Sequence, residues 1–225
     1  HADLLRMSVA SAGNDHRLGA NEAPPAIVSI FLGDQLNAVV QAIINGVPYT
    51  SHGKERMSLG VPVLPDLSKD STDRNRTSPF AFTGNKFEFR MCGSRQNLSD
   101  PNTVLNTAVA KSLCDFADAM EGSTDFKADA MAYIKKTLTA HQRIIFNGDG
   151  YADAWKEEAA RRGLANLPTT VDAAEALVQE KNIKLFEDVG VLSRSEMASH
   201  YEIKLEQYAN LINIEASCML DMANE

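Results

Sequence analysis

From Ser99 onward one apolar stripe at helical spacing follows another, and this run constrains the fold more than any other feature. Ser99-Asp100-Pro101 reads as a helix start, with a capping side chain ahead of a proline whose missing donor is harmless in the first turn. Val104, Leu105, Ala108, Val109, Leu113 and Phe116 then recur at helical spacing, ending near Gly122. Further helices are predicted near 124–146, 151–162 and 170–188, separated by Gly148 and Gly150, by Gly163 with Pro168, and by Gly190. Ser193 and Glu196 have capping-box spacing and open a last helix running to Glu225. It carries Ile203, Leu205, Tyr208, Leu211, Ile212, Ile214, Met219 and Leu220, and its Met and aromatic residues are expected to pack as core. Strands are therefore confined to the first part, which makes the fold class α+β.

In that first part, Asp3–Ala10 reads as a short buried helix. Residues 26–45 are expected to be mainly helical, stopping at Asn45-Gly46, although Ala26–Leu32 is compatible with strand or helix by periodicity alone. Residues 46–79 are polar and irregular, with Val61 and Val63 as a candidate edge strand around Pro62. The clearest strand region is Phe80–Cys92, with a turn at Thr83-Gly84-Asn85. Period-two alternation puts Lys86, Glu88 and Arg90 on one face and Phe87, Phe89 and Met91 on the other. Such a row of mixed charges is either a solvated face with a cross-paired carboxylate or one wall of a site.

Asn14-Asp15-His16-Arg17-Leu18-Gly19-Ala20-Asn21-Glu22-Ala23-Pro24-Pro25 concentrates charge in a stretch that Gly19 and the two prolines should keep out of regular helix. It is either a loop over a substrate or a solvated connector. Arg17, Arg74, Arg76, Lys86, Arg90 and Arg95 suit capture of carboxylate or phosphate, and Glu88 among bases suits a divalent cation bridging phosphate oxygens. No glycine-rich nucleotide loop and no Ser/His/Asp or Cys/His nucleophile arrangement is present. The histidines lack metal-ligand spacing, and Asn147-Gly148-Asp149-Gly150 reads as a turn.

The net charge of −8 argues against a general nucleic-acid binder. No apolar run approaches the ~20 residues a membrane helix needs. The three cysteines, Cys92, Cys114 and Cys218, are far apart and fit reduced thiols in a cytoplasmic protein. Helical patterns reaching both ends give the chain the look of a piece of something longer.

These residues carry a family resemblance. The Asn14–Pro25 stretch resembles a hallmark of type III glutamine synthetases. Asp73-Arg74-Asn75-Arg76-Thr77-Ser78-Pro79-Phe80 and Lys86-Phe87-Glu88-Phe89-Arg90-Met91-Cys92-Gly93-Ser94-Arg95 resemble two more, in matching order and spacing. The resemblance implies that residues 1–122 are the C-terminal part of the catalytic domain, contributing to its antiparallel sheet, and that 123–225 form a helical extension. It implies ATP-dependent ligation of ammonia to glutamate through γ-glutamyl phosphate, with Mg²⁺ or Mn²⁺, in a cytoplasmic homo-oligomer assembled as a dodecamer.

By the same resemblance, Arg17 and Arg90 bind the glutamate substrate, and Glu22 is the catalytic flap residue that closes over the intermediate and helps deprotonate ammonium. Arg74, Arg76 and Lys86 contact nucleotide phosphates, Arg76 also acting in catalysis, and Glu88 is a metal ligand. The run after Arg76 departs from the common form, which has a further arginine there, and the Arg17–Glu22 spacing is slightly shorter. The family's remaining metal-ligand strands would precede His1, so this chain alone is expected to lack synthetase activity. A γ-glutamylamide ligase of the same superfamily and a non-catalytic helical assembly module are the alternatives.

Overall fold

The computed structural model describes residues 1–20, 23, 25–50, 56–57, 67–68, 78–93 and 96–224. The chain begins with α1 (Ala2–Met7), whose residues Asp3 to Met7 are all buried. An apolar helix takes two charges inside only if they are paired. Asp3 accepts from the Asn182 carboxamide at 2.9 Å and pairs with Lys181 at 2.8 Å. Arg6 donates to the carbonyls of Leu167 at 2.8 Å and Pro168 at 3.2 Å. A second short helix, α2 (Ala12–Asp15), follows. The charged stretch after Gly13 is therefore not wholly irregular: Asn14 and Asp15 lie in a helical turn, and the chain leaves it only at His16.

The expected helix over 26–45 is corrected over its first seven residues. Ala26, Ile27, Val28, Ser29 and Leu32 are buried, and Ile30–Phe31 form strand β1. A short apolar run buried on both faces satisfies strand and helix periodicity alike, and pairing decides between them. Here β1 runs parallel to β4 (Phe80–Phe82), which pairs antiparallel with β5 (Phe87–Phe89). The sheet is thus mixed, with an antiparallel hairpin and a parallel third strand. Two further two-residue strands, β2 (Arg56–Met57) and β3 (Leu67–Ser68), pair antiparallel with each other. Val61 and Val63 lie outside the described residues.

Helix α3 (Gly33–Asn45) starts abruptly at Gly33, whose φ of 74° suits glycine, and stops at Gly46 in the left-handed conformation. Its first free N–H groups are capped from far along the chain: Asn147 Oδ1 accepts from Leu32 N at 2.8 Å and Gly33 N at 3.1 Å. Next to it Phe146 N donates to Ile30 O at 2.9 Å, and Ile145 bridges Ile30 in parallel.

Helix α4 (Ser99–Met120) begins where expected, but the capping oxygen is that of Asn97, which accepts from Ser99 N at 2.8 Å. It meets α5 (Phe126–His141) through edge-on contacts of Phe116 with Phe126 and Tyr133. After a 3-10 turn at Gln142–Ile144 comes α6 (Asp153–Arg161), whose buried Trp155 stacks on Phe146 at 3.7 Å. The expected 170–188 helix is broken into α7 (Thr170–Ala174), a 3-10 turn at Glu175–Val178, and α8 (Glu180–Val189). No Gly or Pro marks the break. It is stapled by Asn182, which is fully buried and donates to Ala176 O at 2.8 Å as well as to Asp3.

The last helix, α9 (Arg194–Asn224), opens with the capping box: the Glu196 carboxylate accepts from Ser193 N at 2.8 Å and Ser193 Oγ at 2.7 Å. Its expected core stripe is corrected. Of its described residues Met197 alone is buried, while Ile203, Ile214, Met219 and Leu220 are exposed. The main core joins α1 (Leu4, Leu5, Met7) to Val104 of α4 and to Leu177, Ile183, Phe186 and Met197, so it draws on both sides of residue 122.

Candidate active site

The hairpin supplies one wall. Register pairs Phe80 with Phe89 and Phe82 with Phe87, which gathers the four rings on one face, with ring centroids 5.2 to 6.2 Å apart. Lys86, Glu88 and Arg90 consequently share the other face. Glu88 bridges the two cations: Lys86 Nζ lies 3.1 Å from Oε1, and Arg90 Nε donates to Oε2 at 3.2 Å. The hydrogen bond from Lys86, then that from Arg90, holds the Glu88 carboxyl below its ordinary pKa. It is charged at neutral pH, with one oxygen facing each cation. Among the described residues no three His, Cys, Asp or Glu gather to hold a metal. A single carboxylate still suits Mg²⁺ or Mn²⁺, which take one or two carboxylates and complete their shells with water and substrate phosphates.

The turn after α2 is tied to the end of this strand. Arg17 is exposed there, with its N–H bonded to Asn14 O at 3.0 Å, and Gly19 turns the chain at φ 75°. Two residues the sequence reading passed over fix this turn. Buried Asn14 donates to Val9 O at 2.6 Å and to Cys92 O at 2.7 Å. Cys92 stands two residues beyond Arg90, so Asn14 ties the Arg17 turn directly to the end of the charged strand. Gln96 reinforces the same junction by donating to Ala10 O at 3.2 Å. Asp15 accepts from Thr170 N and from Thr170 Oγ, each at 2.9 Å. The signal available beforehand was a pair of short polar residues at the edge of a loop and a Thr-Thr pair after Pro168. Nothing local joins them across 155 residues. The structure thus brings Lys86, Glu88 and Arg90 together and links their strand to the turn bearing Arg17. Glu22, Arg74, Arg76 and Arg95 lie outside the described residues.

Comparison with known proteins supplies the context for this geometry. Residues 129–225 match the family model described as the glutamine synthetase C-terminal domain. The preceding residues, which hold the charged strand and the Arg17 turn, share the likeness of that domain to the same relatives. The chain is 52% identical over 227 residues to the type-3 glutamine synthetase of Dictyostelium discoideum, covering 100% of this chain and 31% of that protein. It is 44% identical over 226 residues to a glutamine synthetase of Butyrivibrio fibrisolvens, covering 99% and 32%. With a glutamine synthetase of Bacteroides fragilis it shares 41% over 228 residues, covering 98% and 31%. The chain spans about a third of the length of the curated relatives it matches. Thr170, which grips Asp15, lies within the stretch that matches this family model.

Proposed function

We propose that this chain forms part of a glutamate–ammonia ligase, which joins ammonia to L-glutamate through γ-glutamyl phosphate at the expense of ATP. The observation that carries the reading is the Asn14–Cys92 bond, which sets the Arg17 turn against the Lys86/Glu88/Arg90 strand in a chain resembling glutamine synthetases from end to end. Residues 1–122 then belong to the catalytic domain and 123–225 form its helical extension.

Each residue has a task that its chemistry suits. Arg17 and Arg90 bind carboxylate, for which a guanidinium is shaped. Lys86, with Arg74 and Arg76, neutralises phosphate. Glu88 would hold Mg²⁺ or Mn²⁺, which when bound offsets the charge that phosphoryl transfer places on the phosphate oxygens. In the first half-reaction a γ-carboxylate oxygen of glutamate attacks the terminal phosphorus of ATP and ADP leaves. In the second, ammonia attacks the acyl carbon and phosphate leaves. Arg76 holds the departing phosphate. Glu22, on its proline-stiffened loop, takes a proton from ammonium and shields the acyl phosphate from water.

By its family likeness the working protein is a cytoplasmic homo-oligomer, a dodecamer. No helix among the described residues is long and apolar enough to cross a membrane.

The test uses the longer protein that contains this chain. Glu88→Gln should lower glutamate- and ammonia-dependent ADP release by about 100-fold, with the loss only partly recovered by excess Mg²⁺. Turnover near wild type would remove Glu88 from the metal shell. A preference for larger amines over ammonia in a substrate panel would replace glutamine synthesis with γ-glutamylamide synthesis.

A further inference from the structure

Arg17 sits on an exposed turn with a glycine hinge two residues beyond it, yet the base of that turn is fastened from two directions. Asn14 reaches the charged strand. Asp15, two residues before Arg17, reaches the C-terminal domain. Its two carboxylate oxygens take the backbone N–H and the hydroxyl of Thr170, each at 2.9 Å. Thr170 is 2% exposed, so the grip is partly shielded from water. Behind it lies Arg6, 1% exposed, with a guanidinium nitrogen 3.8 Å from Asp15 Oδ1. The same guanidinium holds the carbonyls of Leu167 and Pro168, the residues that lead into Thr170. Arg6 therefore fixes the segment that Asp15 grips, and it brings a positive charge to face the largely covered carboxylate. Charged hydrogen bonds out of water are stronger and more directional than neutral ones. Asp15 does not lie among the residues that would meet substrate.

We propose that Asp15 is a positioning residue: by gripping Thr170 it lets the C-terminal domain set the register of the Arg17 turn against the Lys86/Glu88/Arg90 strand, and so tunes the affinity for glutamate. The proposal rests on the ligase reading. In it, loosening Asp15 leaves the nucleotide-facing strand in place, because that strand is paired through Phe80–Phe82 and the Asn14 bond remains. What shifts is Arg17 alone. The expected signature is a change in glutamate affinity without an equal change in ATP affinity.

Thr170→Val removes the hydroxyl donor while keeping the backbone N–H and the side-chain shape, and Thr170→Ser restores the donor. Asp15→Asn replaces one acceptor oxygen with an amide. In the longer protein, Thr170→Val should raise the glutamate KM by about three- to tenfold, and Asp15→Asn by at least as much. The ATP KM and kcat should stay within about twofold, and Thr170→Ser should behave as wild type. In the 225-residue chain itself, trypsin should cut after Arg17 several-fold faster in Asp15→Asn, with cleavage at Arg161 unchanged. An unaltered glutamate KM would overturn the proposal. Equal losses in both KM values together with faster cleavage everywhere would also overturn it, because they indicate general unfolding. A wild-type protein without glutamate-dependent ADP release would overturn the ligase reading instead, and the trypsin comparison would still judge the grip of Asp15 on the turn.

Discussion

Both amide hydrogens of Asn14 go to carbonyl oxygens, one on Val9 and one on Cys92. Removing a buried donor leaves its acceptors unsatisfied, at roughly 1–3 kcal/mol. Asn14→Ala should therefore destabilise the chain by about 2 kcal/mol in urea unfolding. Asn14→Asp should be worse, since a carboxylate would face two carbonyl oxygens with no hydrogen to offer. Equal stability of the two variants would contradict the bond assignment. At this scale the sequence exposes part of the site. Alternation alone places Lys86, Glu88 and Arg90 on one face, because a strand has a strict two-residue period. The role of Asn14 was hidden because its partner lies 78 residues away and a carboxamide bonds equally well to any nearby carbonyl. Asp15 was hidden for the same reason, with Thr170 155 residues off.

At the level of elements, capping and pairing decide the outcome where periodicity does not. Asn147 supplies the cap that α3 lacks locally, so Asn147→Ala should cost about 1 kcal/mol by chemical denaturation. No loss would mean that Leu32 and Gly33 find other acceptors. The seven residues before Gly33 satisfy a helical spacing because a short apolar run has no face to display. Their strand pairing with Phe80–Phe82 is a long-range fact. The break at Gln179 is equally unmarked, since Asn182 makes it by bonding across to Asp3. By contrast the capping box at Ser193, the stop at Gly46 and the hairpin turn before Lys86 were legible, because their causes lie within a few residues.

Helix α6 adds a pH signature. Bonds from Arg161, then Arg162, push the Glu158 carboxyl down to about 2 from its ordinary 4.5. A depressed carboxyl stabilises the folded state above its unfolded pKa and loses that contribution as pH falls through the folded value. The melting-temperature gap between wild type and Glu158→Gln should be full at neutral pH and narrow steadily between pH 4.5 and about 2. A gap that does not change with pH would show that the ion pairs contribute nothing.

For the whole molecule, the helical character and its segregation from the strands were readable, while the location of the core was not. Residues of α9 with helical apolar spacing lie on the outside, and α1 lies in the centre. Spacing reports a face, and only the partners determine whether that face is covered. Met219→Gln with Leu220→Gln should consequently leave the stability of this chain within about 0.5 kcal/mol of wild type. A larger loss would place those side chains inside.

The central position of α1 also sets a timetable. Arg6 bonds to a carbonyl 161 residues later and Asp3 to a carboxamide 179 residues later. At ribosomal speeds of about 5–20 residues per second, its apolar side chains and two charges wait on the order of 10–30 s for their partners to emerge. During that interval the apolar side chains of α1 lack the partners that the later helices supply. A chaperone that shelters short apolar stretches would find a target in α1 and release it once α8 has been made.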